Sequence, residues 1–107
     1  MKPALTTERI ERAVATAAKV FEVPSREIAG RCNIRSVSRA RQAVWKALYE
    51  ACFTSYPEMA WLLRRDHSTV IAGVKRADAM SADPDYADRV RLIKAAALGI
   101  GEARRAA

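Results

Sequence analysis

At 107 residues with a formal net charge of +7 and only four glycines, the chain has room for one core and no second nucleotide-binding fold. It contains neither a G-x-x-x-x-G-K-[ST] nor a G-x-G-x-x-G pattern, which excludes an ATPase or dinucleotide enzyme of the usual kind, and no cofactor is expected. No apolar run approaches the roughly 20 residues that span a bilayer, and no long apolar leader stands at the start, so no membrane partner and a cytoplasmic, nucleoid-associated location are expected.

The elements read as helices throughout. Ile10, Ala13, Val14, Ala17, Ala18 and Phe21 recur at helical spacing and predict an amphipathic helix over about residues 7–22. Pro24 to Ala29 reads as one short helical turn ended by a left-handed Gly30. A basic loop with Arg31, Asn33 and Arg35 follows. Ser36 or Ser38 is the expected cap of a third helix running to about Phe53, with Val37, Ala40, Val44, Ala47, Leu48 and Ala51 inward. Three cations, Arg35, Arg39 and Arg41, crowd its start, where the helix dipole disfavours them, which suggests an anionic partner there.

Ser55 and Pro57 suit the cap and first turn of a short fourth helix with Met59, Leu62 and Leu63 inward. Asp66 is the expected cap of a fifth helix to about Met80, with Val70, Val74 and Ala77 inward and Lys75 and Arg76 late in it. Asp83-Pro84 opens a last helix whose Tyr86, Val90, Ile93 and Ala97 close the bundle, ended by Gly99 and Gly101. A single domain over residues 1–100 is expected, with 101–107 a basic flexible tail carrying Arg104 and Arg105. Two helices joined by a tight turn, the second polar at its start, read as a helix-turn-helix. The fold class is therefore all-α, a small helical bundle containing a helix-turn-helix.

The densest chemistry lies in Arg64-Arg65-Asp66-His67-Ser68-Thr69-Val70. Unpaired N–H groups at a helix start can hold a phosphate, and short polar side chains in its first turn reach base edges in a major groove. Arg64 and Arg65 suit phosphate or guanine, Asp66 can accept from cytosine N4, and the Thr69 methyl can pack on thymine. Residues 30–76 hold nine Lys/Arg against three Asp/Glu, so +6 of the net +7 falls on this segment. That coincidence is the footprint of a phosphate-binding face. No catalytic constellation is visible. Cys32 and Cys52 are isolated thiols, expected unbridged in a reducing compartment, and with His67 the sole histidine a zinc site would have to draw on all three plus a carboxylate.

From about Thr7 to Met80 the chain resembles the C-terminal DNA-binding domain, domain IV, of DnaA, the bacterial replication initiator. Ser55-Tyr56-Pro57-Glu58 and Arg65-Asp66-His67-Ser68-Thr69-Val70 are similar to that family's Ser-x-Pro-Glu and Arg-Asp-His-Thr-Thr-Val signatures, and Arg35-Ser36-Val37-Ser38-Arg39-Ala40-Arg41-Gln42 to its basic stretch. The resemblance implies a Trp-repressor-like helix-turn-helix fold. It also implies base contacts from Asp66, His67, Ser68 and Thr69, with Arg41, Pro57, Lys75 and Arg76 near the DNA backbone. The position similar to the family's minor-groove arginine holds Asn33, leaving that role to Arg31 or Arg35. Arg64 stands where the family commonly has a flexible glycine.

The family's ATPase module has no counterpart in these residues. The resemblance is therefore to stand-alone relatives of the domain in prophages and alphaproteobacteria, some similar to activators of gene-transfer-agent promoters. The expected function is a promoter-binding transcription activator whose partner is double-stranded DNA, accompanied by RNA polymerase or a second DNA-binding protein. One alternative is a regulator of replication competing for DnaA-type sites. Another is an adaptor holding a protein through Tyr56, Trp61 and Trp45; Trp61 itself reads as a core filler, a partner anchor or a backbone contact, with core the default for a lone Trp.

Overall fold

The computed structural model describes residues 1–100, so the expected tail with Arg104 and Arg105, and Gly101, lie outside the described residues. Six helices follow in order: α1 Thr7–Phe21, α2 Ser25–Ala29, α3 Arg35–Ala51, α4 Tyr56–Leu63, α5 His67–Met80 and α6 Pro84–Leu98. The fold is all-helical, a bundle with a helix-turn-helix formed by α4 and α5.

Helix α3 is the axis of the bundle. Val37, Ala40, Ala43, Val44, Trp45, Ala47, Leu48 and Ala51 are all buried along it, because α1, α5 and α6 each pack against it. Its many alanines allow close approach of those neighbours, and the larger side chains Leu48, Val44, Met59, Val70, Tyr86 and Ile93 fill the space between layers. The inward residues expected on α5 and α6, Val70, Val74, Ala77, Tyr86, Val90, Ile93 and Ala97, are all buried.

Helix starts divide into two kinds. Thr6, Ser55 and Asp83 cap α1, α4 and α6, each accepting a backbone N–H through its side chain, from Arg9 at 3.2 Å, Glu58 at 3.3 Å and Asp85 at 3.1 Å. The starts of α2, α3 and α5 have no such bond. Helix α3 begins at Arg35 after Ile34, so Ser36 and Ser38 lie inside it and do not cap it. Asp66 occupies the cap position of α5, where its carbonyl accepts from Val70 N–H at 3.1 Å, but its carboxylate takes no part.

The ends also depart from expectation. Gly30 has φ −90° and is not left-handed; it leaves room for the Arg26 carbonyl, which an added Cβ would approach to 2.9 Å. The left-handed residues closing helices are Glu22, Arg64 and Gly99. In each case the next N–H reaches back five residues: Val23 to Ala18 at 3.1 Å, Arg65 to Ala60 at 3.0 Å and Ile100 to Ala95 at 3.1 Å. This wrap satisfies carbonyls that the helix end would leave unpaired. Helix α3 stops at Ala51, short of Phe53, whose N–H instead donates to the Pro3 carbonyl at 2.7 Å.

Two polar clamps lock the bundle. Lys46 lies between Glu50 and Asp78, each at 2.5 Å, and Lys94 reaches Glu50 at 3.3 Å. Burial opposes ionising Glu50, but Lys46 and Lys94 overcome it and hold its carboxyl below the usual range. The Tyr86 hydroxyl donates to the Arg39 carbonyl at 2.9 Å, and burial raises its pKa.

Candidate nucleic-acid interface

The turn Arg64-Arg65-Asp66 joins α4 to α5 and aims the first turn of α5 outward. Asp66, His67, Ser68 and Thr69 are all exposed, while Val70 directly after them is fully buried. Their side chains make no hydrogen bond or ion pair among the described residues. A helix start with four exposed polar side chains and no internal cap retains its donors and acceptors for an external partner.

Ser68 and Thr69 open into a shallow groove shared with Asn33, Ser38, Gln42 and Arg76. The groove continues along Arg35, Arg39 and Arg76 between α3 and α5. The uncapped starts of α3 and α5 therefore border one basic concavity. Exposed Arg31 and Arg35 lie at the start of α3, and exposed Lys75 and Arg76 later on α5. Such a pair of positive helix ends with cations around them binds anions well.

A second groove runs on the far side of the turn, along Pro57, Trp61, Arg64 and His67. Pro57 and Arg64 are exposed there. Arg64 holds φ 57° and ψ 49°, a conformation that costs a residue with a Cβ about 1–2 kcal/mol and that glycine adopts freely.

Two arginines expected at the DNA backbone, Arg41 and Arg65, line the groove of Ser68 and Thr69 and also hydrogen-bond within the fold. Arg41 is only 5% exposed; its Nε donates to the Ile28 carbonyl at 2.8 Å and an Nη to the Glu27 carbonyl at 2.6 Å. Arg65 donates to the Ala29 carbonyl at 3.1 Å and to the Gly30 carbonyl, with its guanidinium 5.7 Å from the Trp45 ring centroid. Together they bond the carbonyls of Glu27, Ile28, Ala29 and Gly30 at the end of the five-residue α2, where the Gly30 N–H also reaches Glu27 at 3.3 Å. The expectation failed to anticipate this because both partners come from a distant part of the chain. Burial first, then the neighbouring positive charges of Arg41 and Arg31, lowers the Arg65 pKa; burial likewise lowers that of Arg41, with Arg31 adding to it and Cys32 opposing. The result ties the basic loop, α3 and the α4–α5 turn into one frame, and both arginines are also part of the wall of the groove that holds Ser68 and Thr69.

Gly73 and Trp45 complete that frame and had no sequence signal beyond a glycine inside a helix. A Cβ at Gly73 would lie 2.6 Å from the Trp45 Cζ3, so only glycine lets α5 close over the indole. Trp45 is thereby buried and Tyr56 stacks on Tyr49 at 4.3 Å between centroids, so of the three aromatic residues of the adaptor reading only Trp61 stands free. Trp61 is 80% exposed, against the expectation of a core residue. Gln42 and Ser38, one turn apart on α3, also join the groove; their polarity beside the buried stripe is the signal that could have found them.

Among the described residues no group of three or more His, Cys, Asp or Glu side chains could hold a metal ion, so Cys32, Cys52 and His67 are not gathered as a zinc site would need. No helix of the described residues is long and apolar enough to cross a membrane. A family model described as the bacterial dnaA protein helix-turn-helix matches residues 7–77, from the start of α1 to nearly the end of α5, with α6 beyond the match. No curated protein matches the chain.

Proposed function

The chain belongs to the bacterial DnaA helix-turn-helix family, which binds double-stranded DNA, and from that premise we propose that it is a sequence-specific transcription regulator that activates from promoter sites. The observation that carries the reading is the exposed, internally unpartnered first turn of α5 beside the uncapped start of α3 in one basic groove. Asp66, His67, Ser68 and Thr69 read base edges in the major groove, while Arg31, Arg35, Arg64, Lys75, Arg76 and the backbone beside Pro57 hold the sugar-phosphate strands. Asn33, at the tip of the basic loop, and its neighbours Arg31 and Arg35 reach toward the minor groove. Arg41 and Arg65 hold the frame that carries them.

A single module of this size buries roughly 600–1,000 Å² of protein surface on DNA, which favours cooperation with RNA polymerase or a second DNA-binding protein. Family membership also favours a second reading, a regulator of replication that occupies DnaA-type sites. A genome-wide occupancy map separates the two. Promoter upstream regions are the expected bound sites, with transcription from them falling when the gene is deleted; occupancy confined to replication origins would replace the first reading with the second.

A further inference from the structure

Trp61 lies on α4 in the groove that also holds Pro57, Arg64 and His67. At 80% exposure it is the most exposed large apolar side chain inside the helical bundle, which is a poor use of an indole unless something covers it. The groove around it is continuous with the reading end of α5, since His67 is both the first residue of that helix and part of this wall. No carboxylate lines it, and two arginines do. The other exposed large apolar residues, Met1, Ile34, Phe53, Leu92 and Ile100, do not line it; its remaining apolar lining is Pro57, Ala60 and Leu62, of which only Pro57 is exposed, so it lacks the broad apolar area on which a protein partner docks. An exposed flat ring carrying one N–H donor, with the exposed Arg64 guanidinium in the same groove, instead matches a sugar-phosphate strand: the ring covers deoxyribose C–H groups and Arg64 holds a flanking phosphate.

We propose that Trp61 packs on the deoxyribose backbone of bound duplex DNA, extending the interface from α5 onto the outer face of α4. This rests on the DNA-binding reading above. Trp45 is buried and Trp61 exposed, so the quenchable part of the protein's intrinsic fluorescence reports on Trp61. The test is acrylamide quenching of the full chain, wild type and Trp61→Phe, with and without a duplex selected from a random pool, binding being followed separately by anisotropy of the labelled duplex. The expected result is strong quenching of the free wild type, little quenching of Trp61→Phe, and protection of the wild type by saturating duplex. Trp61→Ala should weaken selected and scrambled duplex alike, by roughly three- to tenfold, the loss of one aromatic contact. It should leave the salt dependence unchanged, because no phosphate contact is removed. Binding by anisotropy with Trp61 still fully quenchable, or Trp61→Ala affinity equal to wild type, overturns the proposal and leaves a protein as the occupant. Absence of any binding by anisotropy overturns the DNA-binding reading itself and this proposal with it.

Discussion

Arg41 shows how a cation beside a DNA-facing groove can belong to the fold. Its guanidinium holds the Glu27 and Ile28 carbonyls from a nearly buried position, and a charged group's hydrogen bonds are worth about 1.5–3 kcal/mol each. Arg41→Ala should therefore lower stability by about 3 kcal/mol in thermal or urea unfolding; an unchanged melting curve would return Arg41 to the phosphate-binding set. Arg64 is the reverse case. Its left-handed backbone is unfavourable for any residue with a Cβ, so Arg64→Gly should raise stability by about 1 kcal/mol. It should also weaken DNA binding and flatten the salt slope by about one unit, as loss of one phosphate contact requires. The pattern Asp66-His67-Ser68-Thr69 was legible in sequence because exposure at a helix start follows from the inward spacing of Val70, Val74 and Ala77. The destinations of Arg41 and Arg65 were not legible. Their acceptors, the carbonyls of residues 27–30, are 13 to 36 residues away in the chain, and no local pattern encodes that meeting.

Element boundaries followed the strong signals and missed the weak ones. Prolines with a preceding Ser or Asp marked α4 and α6, where cap and first-turn chemistry act locally. The start of α3 was misread because Ser36 and Ser38 are good caps in isolation, whereas the helix already begins at Arg35, with Val37 between them buried. The α3–α5 contact depends on Gly73. Alanine there would gain about 1 kcal/mol in helix propensity, but its Cβ would strike the rigid indole of Trp45, and overpacking of that kind costs about 1–3 kcal/mol. Gly73→Ala should thus be net destabilising and should alter the near-ultraviolet circular dichroism of Trp45 as α5 shifts away from α3. A more stable protein with an unchanged spectrum would show that the two helices are not set by this contact.

Across the whole molecule, the count of cations in the basic segment is larger than the number the fold leaves exposed. Of the nine cations in residues 30–76, Arg41 and Arg65 serve the end of α2, Lys46 sits between two carboxylates, and Arg39 lies over the Tyr86 ring. Those that remain exposed are Arg31, Arg35, Arg64, Lys75 and Arg76. With these five engaged, the slope of log affinity against log salt should be about −4 to −5; a slope near −8 would mean that the inward arginines also reach phosphate. The same geometry sets the central claim, that the first turn of α5 reads bases. Asp66 is exposed and makes no capping bond, so its removal should leave folding untouched. The most direct measurement is the affinity of wild type, Asp66→Ala and His67→Ala for a selected duplex and for its scrambled counterpart, alongside their melting temperatures. Base reading predicts that each substitution narrows the difference between the two duplexes by about 1–3 kcal/mol with melting unchanged. Equal losses on both duplexes would contradict it.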